Sequence, residues 1–287
     1  MEEAILIGLI AISYALILFL IASGLSLIMG IMGVINMAHG SLYMLGAYVG
    51  LNLATRIGNF WLVAFISGLL VGLFGLLLER VFLSRLYRQQ NEQMLLTLGF
   101  VFILGNLVLW IWGGYAYMGT LPSFLNKSVL IGSQSFPVYR LILIAIGLLV
   151  AAALWWLQAK TKAGAVLRAG MDNKRMTMAM GINYNLVCSV IFFVGSFIAA
   201  FAGFIGIPLT GAQSEMGWPI LLLSLSVVVV GGVGRVEGTL LGSIIVGCLD
   251  SLGKSFFPGL SQFTIYIIFV ITILIRPSGI LGIKQHD

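Results

Sequence analysis

Polar side chains occupy an unusual place in this sequence, inside a long apolar and glycine-rich stretch near the amino terminus. Asn36, His39, Ser41 and Tyr43 stand close together there, and Gly33 and Gly40 flank the first two. Polar groups in hydrocarbon are costly unless paired, and ionisable groups there are candidates for function. The block predicts one of two arrangements: a polar path for a solute, or side chains that bond to loops at the membrane surface.

Glycines favour the first arrangement, because an unwound helix is tolerated in a membrane where its freed backbone lines a cavity. A second cluster, Gly231, Gly232 and Gly234, interrupts another apolar stretch. Paired glycine-interrupted segments are typical of the broken helices that line a transporter's substrate path. The predicted path residues are therefore Gly33, Asn36, His39, Gly40, Ser41, Tyr43, Gly231, Gly232 and Gly234.

Enzyme motifs are incomplete. Gly253-Lys254-Ser255 resembles the end of a phosphate-binding loop, but Cys248 stands where that loop needs a glycine. The two histidines are far apart in sequence, and no acidic pair has catalytic spacing. We predict no catalytic residue, no metal ligand and no nucleotide site in this chain, so the energy for transport must come from a partner or an ion gradient.

Composition places the chain in a membrane. Of its 287 residues 60% are hydrophobic and 8% are charged, against roughly 25% charged in soluble domains. A spanning helix needs about 20 apolar residues, and such stretches occur near 4–30, 35–55, 61–83, 94–113, 139–158, 184–208, 219–234, 238–252 and 261–275. The prediction is an all-α polytopic transmembrane bundle with about eight to nine spans, some short or broken, forming a single domain over 1–287.

Basic residues predict the orientation. Lys and Arg collect in the segments 84–93 and 159–183, and short cytoplasmic loops are enriched in both. These two segments are predicted to be cytoplasmic and the 114–138 loop external, with the amino terminus outside and the carboxyl terminus inside. Topology explains the basic loops without a nucleic acid, so lipid is the expected surrounding and no nucleic-acid partner is predicted.

The segment 159–183 combines basic, small and methionine residues, a composition that supports short amphipathic helices. Two interpretations stay open: a helix lying on the membrane surface, or an adaptable methionine-rich surface for a partner protein.

Several blocks together closely resemble the branched-chain amino-acid ABC transporter permease family of the LivH type. The resemblance follows the chain in order, through Gly24-Leu25-Ser26-Leu27, Met32 to Tyr48, Leu167-Arg168-Ala169, Ala179-Met180-Gly181-Ile182-Asn183, Ala200-Phe201-Ala202-Gly203, Val230 to Gly234 with Gly238, and Arg276 to Gly282. One departure is Arg235-Val236-Glu237, where family members often have a Ser-Ile-Pro-like turn, which puts the geometry at that point in doubt.

The resemblance implies a permease subunit in a bacterial-type inner membrane. Its partners would be a second, related permease, two cytoplasmic ATPases that bind ATP and Mg, and an extracytoplasmic solute-binding protein. The segment 159–183 would hold the ATPase-coupling helix, with Arg168, Ala169, Asp172, Arg175, Ala179 and Gly181 as coupling residues. Branched-chain or other apolar amino acids are the leading substrates. Urea, short amides or another small solute are the alternative within the family, and a stand-alone secondary carrier or channel is the alternative outside it.

Overall fold

A computed structural model describes residues 2–87, 89–119, 121–123, 125–132, 134–256, 261–276 and 279–281. The predicted basic residue Arg88, and Pro277, Ser278 and Gly282 of the closing motif, lie outside the described residues. The elements in chain order are α1 (Glu2–Met32), α2 (His39–Ala54), α3 (Phe60–Val81), a 3-10 helix (Leu83–Leu86), α4 (Gln90–Trp112), β1 (Ser128–Ile131), β2 (Gln134–Pro137), α5 (Val138–Lys160), α6 (Lys162–Asp172), α7 (Lys174–Ala179), α8 (Tyr184–Thr210), α9 (Gly217–Gly231), α10 (Val236–Phe256) and α11 (Ser261–Ile275).

The predicted class, a polytopic helical membrane protein, is confirmed. Six helices in the described part of the chain are long and apolar enough to cross a membrane: α1, α3, α4, α5, α8 and α10. The helices α2, α9 and α11 have 16, 15 and 15 residues, fewer than the roughly 20 that a full crossing needs. The count of eight to nine spans therefore stays a prediction.

The bundle has two chemically different ends. The end that carries the 3-10 helix, α6 and α7 holds most basic connections and is called the basic end below. The opposite end, called the hairpin end, carries an antiparallel hairpin in which Ser128 of β1 pairs with Pro137 of β2. A bridge between Tyr117 and Ala212 joins the 114–138 loop to the connection after α8. The hairpin was not predicted, because its strands are short and stand in a polar loop.

Helix α8 lies in the centre, packed against α1, α2 and α3. Small residues bring these helices together, as expected where no water drives their association. A Cβ on Gly24 would lie 2.6 Å from the Gly195 carbonyl oxygen, and one on Gly46 would lie 2.3 Å from the Ala200 Cα. Helix α10 follows α1 in the same way, with Gly247 against Ala15.

A break in the chain follows α1, as the glycines predicted. Gly33 has a φ of +69°, a left-handed conformation that favours glycine, and residues 33–38 are not helical. These residues return into the bundle, since His39 Nε2 lies 2.9 Å from the carbonyl oxygen of Ile21. At 1.5 Å per residue, Ile21 lies about 16 Å back along α1 from the end of that helix. Helix α2 thus begins inside the bundle, and Gly40 belongs to its first turn.

Candidate functional site

Two short helices begin side by side within the bundle. A Cβ on Gly40 of α2 would lie 1.9 Å from the carbonyl oxygen of Gly217, the first residue of α9, and a Cβ on Gly217 would lie 3.1 Å from Ser41 Oγ. From this contact α2 runs toward the hairpin end and α9 toward the basic end. A helix N-terminus carries a partial positive charge, so two such charges lie together at this contact.

His39 contributes an unused acceptor at this point. The ring is 0% exposed and bonds the Ile21 carbonyl through Nε2, which assigns the proton of a neutral ring to Nε2. Nδ1 then has no hydrogen-bond partner among the described residues. His39 therefore holds a buried acceptor that the described part of its own chain leaves unpaired.

Asn36 contributes an unused donor. Its Oδ1 accepts the Ala38 N–H at 3.1 Å, which holds the turn before α2, while Nδ2 has no partner in the part of the chain described. Asn36 is 3% exposed. Asn36 and His39 are both buried, and they bond to the turn before α2 and to α1.

Tyr43 is also fully buried, one helical turn after His39. Its hydroxyl lies toward α8, where a Cβ on Gly206 would be 2.5 Å from the Tyr43 oxygen. The structure thus brings Asn36, His39, Gly40, Ser41 and Tyr43 of the predicted path to the buried start of α2.

The remaining predicted path residues lie nearer the basic end. Gly33 is exposed where α1 ends, and Gly231 ends α9, with Gly232 and Gly234 in the turn before α10. That turn packs on the end of α1, where a Cβ on Gly30 would lie 2.6 Å from the Gly234 Cα. It is about 14 Å along α1 from His39, so the structure does not unite the two glycine clusters in one site.

The turn is held by two polar side chains. Gln158 of α5 donates to the Gly234 carbonyl at 2.7 Å and accepts the Val236 N–H at 3.1 Å. Arg235, part of the departure from the family pattern, is exposed and donates to the Leu281 carbonyl at 3.0 Å. The departure therefore ties the turn to the carboxyl-terminal segment and does not face the start of α2.

Sequence reasoning missed Gly217, although its partner Gly40 was predicted. The only local signal was Pro219, since proline is tolerated in the first turn of a helix and marks its start. Contact between residues so far apart in sequence cannot be predicted from either one alone.

The segment 159–183 forms two short helices, as predicted. Helix α6 turns Gly164, Leu167 and Gly170 inward at a helical spacing. The predicted coupling residues face outward: Arg168, Asp172, Arg175, Ala179 and Gly181 are exposed and Ala169 is half-buried. Three methionines on and after α7, Met176, Met178 and Met180, are exposed by 62%, 45% and 73%, so the segment presents a basic, methionine-rich surface.

Lys174 fastens this segment to the bundle. Its Nζ lies 4.5 Å from the ring centroid of Tyr184 and 5.4 Å from that of Tyr87, within the range of a cation–π contact. The Tyr184 hydroxyl donates to the Ile31 carbonyl at the end of α1. Through one ammonium group, α7 thus contacts the start of α8 and the α3–α4 connection.

A buried carboxylate lies behind this contact. Glu79 is 0% exposed and accepts from the Tyr87 hydroxyl and from Ser189 Oγ, the latter at 2.6 Å. Arg80 Nε donates to Ser189 Oγ at 3.2 Å. Burial and the hydrogen bond to Glu79 raise the pKa of the Tyr87 phenol above its ordinary value, so this hydroxyl stays protonated and donates.

Buried acids in the described residues are already engaged. Besides Glu79, Asp250 of α10 is buried and pairs with Lys254 at 2.5 Å. No three His, Cys, Asp or Glu side chains come together in a metal-binding group within the described ranges. Beside Lys174 lies an open crevice of about 540 Å³, lined among others by Met32, Tyr87 and Glu92.

Comparison with known proteins follows this geometry. The sequence model of a family described as branched-chain amino acid transport system / permease component matches residues 7–273. The chain is 26% identical over 283 residues to the high-affinity branched-chain amino acid transport system permease protein BraD of Pseudomonas aeruginosa, covering 92% of this chain and 91% of that protein. It is 27% identical over 284 residues to the corresponding protein LivH of Escherichia coli K12, covering 92% and 90%.

A solved structure shares the fold. PsaBC from Streptococcus pneumoniae in complex with Fab matches with a TM-score of 0.52 and 13% sequence identity, covering 94% of this chain and 91% of that one. The family model spans nearly the whole chain, including the break after α1, the α6–α7 segment and the α9–α10 turn. The chain belongs to the family of permease components of branched-chain amino acid transport systems and is a multi-pass inner-membrane protein.

Proposed function

We propose that this chain is the membrane-spanning subunit of an ATP-driven importer of branched-chain or other apolar amino acids. The observation that carries the proposal is the exposed, basic and methionine-rich α6–α7 surface, fastened to the bundle by Lys174. Such a surface suits an adaptable protein partner. The relatives' names support the substrate class.

The solute passes the start of α2. The N-termini of α2 and α9 receive its carboxylate, His39 Nδ1 accepts from its ammonium group, and the apolar residues around them suit an aliphatic side chain. Ser41 and Tyr43 border this point, and Asn36 lies on the basic side of it. Gly33 and the turn with Gly231, Gly232 and Gly234 lie nearer the basic end, where the 540 Å³ crevice offers an exit.

The basic end is cytoplasmic in this proposal, following the distribution of Lys and Arg. The amino terminus is then outside and the carboxyl terminus inside, and the nine predicted stretches cross or re-enter the membrane. Helices α2 and α9 have 16 and 15 residues and are about 22–24 Å long, which is about three quarters of a ~30 Å hydrocarbon core.

Two ATPases, which bind ATP and Mg, dock on this assembly from the cytoplasm, and Arg168, Ala169, Asp172, Arg175, Ala179 and Gly181 meet one of them. A second, related permease completes the pore. An extracytoplasmic binding protein delivers the solute to the hairpin end, where the Tyr117–Ala212 bridge joins the 114–138 loop to the connection after α8. Closure of the ATPases on ATP moves the α6–α7 segment and, through Lys174, the helices around the path.

Purification through a tag on this chain, followed by native mass measurement, tests the assembly. The proposal expects a complex with a second permease and two ATPases, and ATP hydrolysis that rises when the loaded binding protein is added. Arg168→Ala and Asp172→Ala should break the link between hydrolysis and uptake, whereas Arg56→Ala, which removes a charge at the hairpin end, should not. A chain that purifies without ATPases and transports alone is a carrier or channel, and a binding protein selective for urea or short amides overturns the substrate class.

A further inference from the structure

A small cavity lies between the 33–38 segment, α4 and α8. It offers about 10 Å³ of space for the centre of a water-sized sphere, close to the minimum that one water molecule needs. Its wall is mostly apolar, with Ile28, Leu83 and Phe192 among its members, and the side chains of Asn36, Gln93 and Thr97 also border it. Asn36 and Gln93 are 3% and 2% exposed, so bulk water does not reach them.

The orientation of both amide groups is fixed by backbone partners. Asn36 Oδ1 accepts the Ala38 N–H at 3.1 Å, and Gln93 Nε2 donates to the Leu86 carbonyl at 2.6 Å. Turning either amide over would set donor against donor or acceptor against acceptor. One buried donor, Asn36 Nδ2, and one buried acceptor, Gln93 Oε1, therefore remain without a partner in the described part of the chain.

We propose that this cavity is a binding site for one water molecule, which accepts from Asn36 Nδ2 and donates to Gln93 Oε1. Buried waters bind in this way to polar groups that the protein itself leaves unpaired. Thr97 Oγ1, which accepts the Met37 N–H at 3.2 Å, borders the same space and offers a third contact. The water joins α4 to the segment that positions the start of α2.

The bridge gives Gln93 a role in transport as a positioning residue. Gln93 holds the carbonyl of Leu86, and the next residue, Tyr87, contacts Lys174 of α7. A continuous chain of contacts then leads from α7 through Gln93 and the water to Asn36, next to His39. This consequence rests on the proposed function, in which α7 moves with an ATPase, but the water site itself does not.

The site is tested first in a map of the whole complex in lipid, at a resolution that shows ordered waters. One density peak within hydrogen-bond distance of Asn36 Nδ2 and Gln93 Oε1 is expected. A dry cavity, or a direct bond between the two amides, overturns the proposal.

A double-mutant cycle tests the bridge independently of the map. Asn36→Leu leaves Gln93 Oε1 and the water with one partner fewer, and Gln93→Met does the same to Asn36 Nδ2 and the water. The double variant removes both amide groups, so no unpaired amide remains. The loss in melting temperature of the double variant should be smaller than the two single losses together. The bonds to Ala38 and Leu86 are lost equally in single and double variants, so they cancel, and additive losses overturn the bridge.

The transport role is read from the ATP hydrolysed per solute taken up. Gln93→Met should raise this ratio by about threefold or more, in the range expected for residues that link two sites. Asn106→Leu is the matched control, since Asn106 is an exposed amide on the same helix that donates to the Phe102 carbonyl of its own turn. An unchanged ratio in Gln93→Met overturns the role of Gln93. If the wild-type complex shows no ATP-driven uptake, the proposed function fails, while the map and the cycle still decide the water site.

Discussion

The contact between Gly40 and Gly217 predicts that alanine at position 40 destabilises the protein. Helix propensity alone would make the same substitution stabilising, so the sign of the change in the free energy of unfolding separates the two effects. In Gly40→Ala the new Cβ would lie 1.9 Å from the Gly217 carbonyl oxygen and 2.9 Å from the Leu221 nitrogen. Both atoms are backbone of α9, so no side chain can turn away. The Cβ–oxygen distance must open to at least 3.0 Å, which pushes the starts of α2 and α9 apart.

Helix propensity alone predicts that alanine in α2 stabilises the protein by about 1 kcal/mol over glycine. Overpacking of a dense interior costs about 1–3 kcal/mol, and the upper end applies because the obstacle is buried backbone. Overpacking of about 3 kcal/mol less a propensity gain of about 1 kcal/mol gives the net effect, so we expect Gly40→Ala to lower the free energy of unfolding by about 2 kcal/mol. Uptake should also fall, since the gap opens at the proposed path.

Gly99→Ala on α4 is the matched control, because a Cβ there meets nothing within 4 Å. That variant should be as stable as the wild type or more stable by up to about 1 kcal/mol. Thermal unfolding of both variants in the same lipid nanodiscs, together with solute uptake, gives the comparison. If Gly40→Ala unfolds at or above the temperature of Gly99→Ala and transports normally, α2 and α9 do not meet as described.

Three further outcomes follow from the same geometry. Glu79→Leu should lower the free energy of unfolding by about 2 kcal/mol, because the Tyr87 hydroxyl loses its Glu79 acceptor, while Ser189 Oγ still donates to the Asn185 carbonyl at 3.0 Å. Adding Tyr87→Phe should restore most of the loss in thermal unfolding, and no restoration argues against this cluster. Lys174→Met keeps the length of the side chain but loses both cation–π contacts, so the free energy of unfolding should fall by about 1 kcal/mol. ATP hydrolysis by the complex should then no longer rise when the loaded binding protein is added. A full rise argues against the role of Lys174 in holding α7 to the bundle. His39→Phe keeps a buried ring but removes Nδ1, and it should abolish uptake while the complex still assembles; normal uptake removes His39 from the path.

Some of this architecture is readable from the sequence because its causes are local. Gly33 marks the break after α1, since a left-handed residue is needed where the chain turns back, and the polar Asn36 and His39 in an apolar run indicate a buried site. The small, basic and methionine residues of 159–183 likewise predicted surface helices, which α6 and α7 confirm.

Other parts depend on contacts between distant residues. A glycine in an apolar run has the same local pattern at a turn near the end of the bundle as at a break inside it. The sequence therefore does not show that Gly231, Gly232 and Gly234 lie nearer the basic end than Gly40 does. Pro219 marks the start of α9, but the role of Gly217 comes only from meeting Gly40. Gln93 is one glutamine among several until its backbone partner and the cavity beside it are seen.

Uptake in reconstituted liposomes tests the central claim most directly. The liposome membrane contains this chain and the second permease. Labelled leucine, isoleucine or valine is supplied outside together with the binding protein, and ATP and the ATPases are enclosed inside. The account predicts uptake against a gradient that requires ATP, the ATPases and the binding protein together. Uptake of the same amino acids by this chain alone, without ATP, would contradict it.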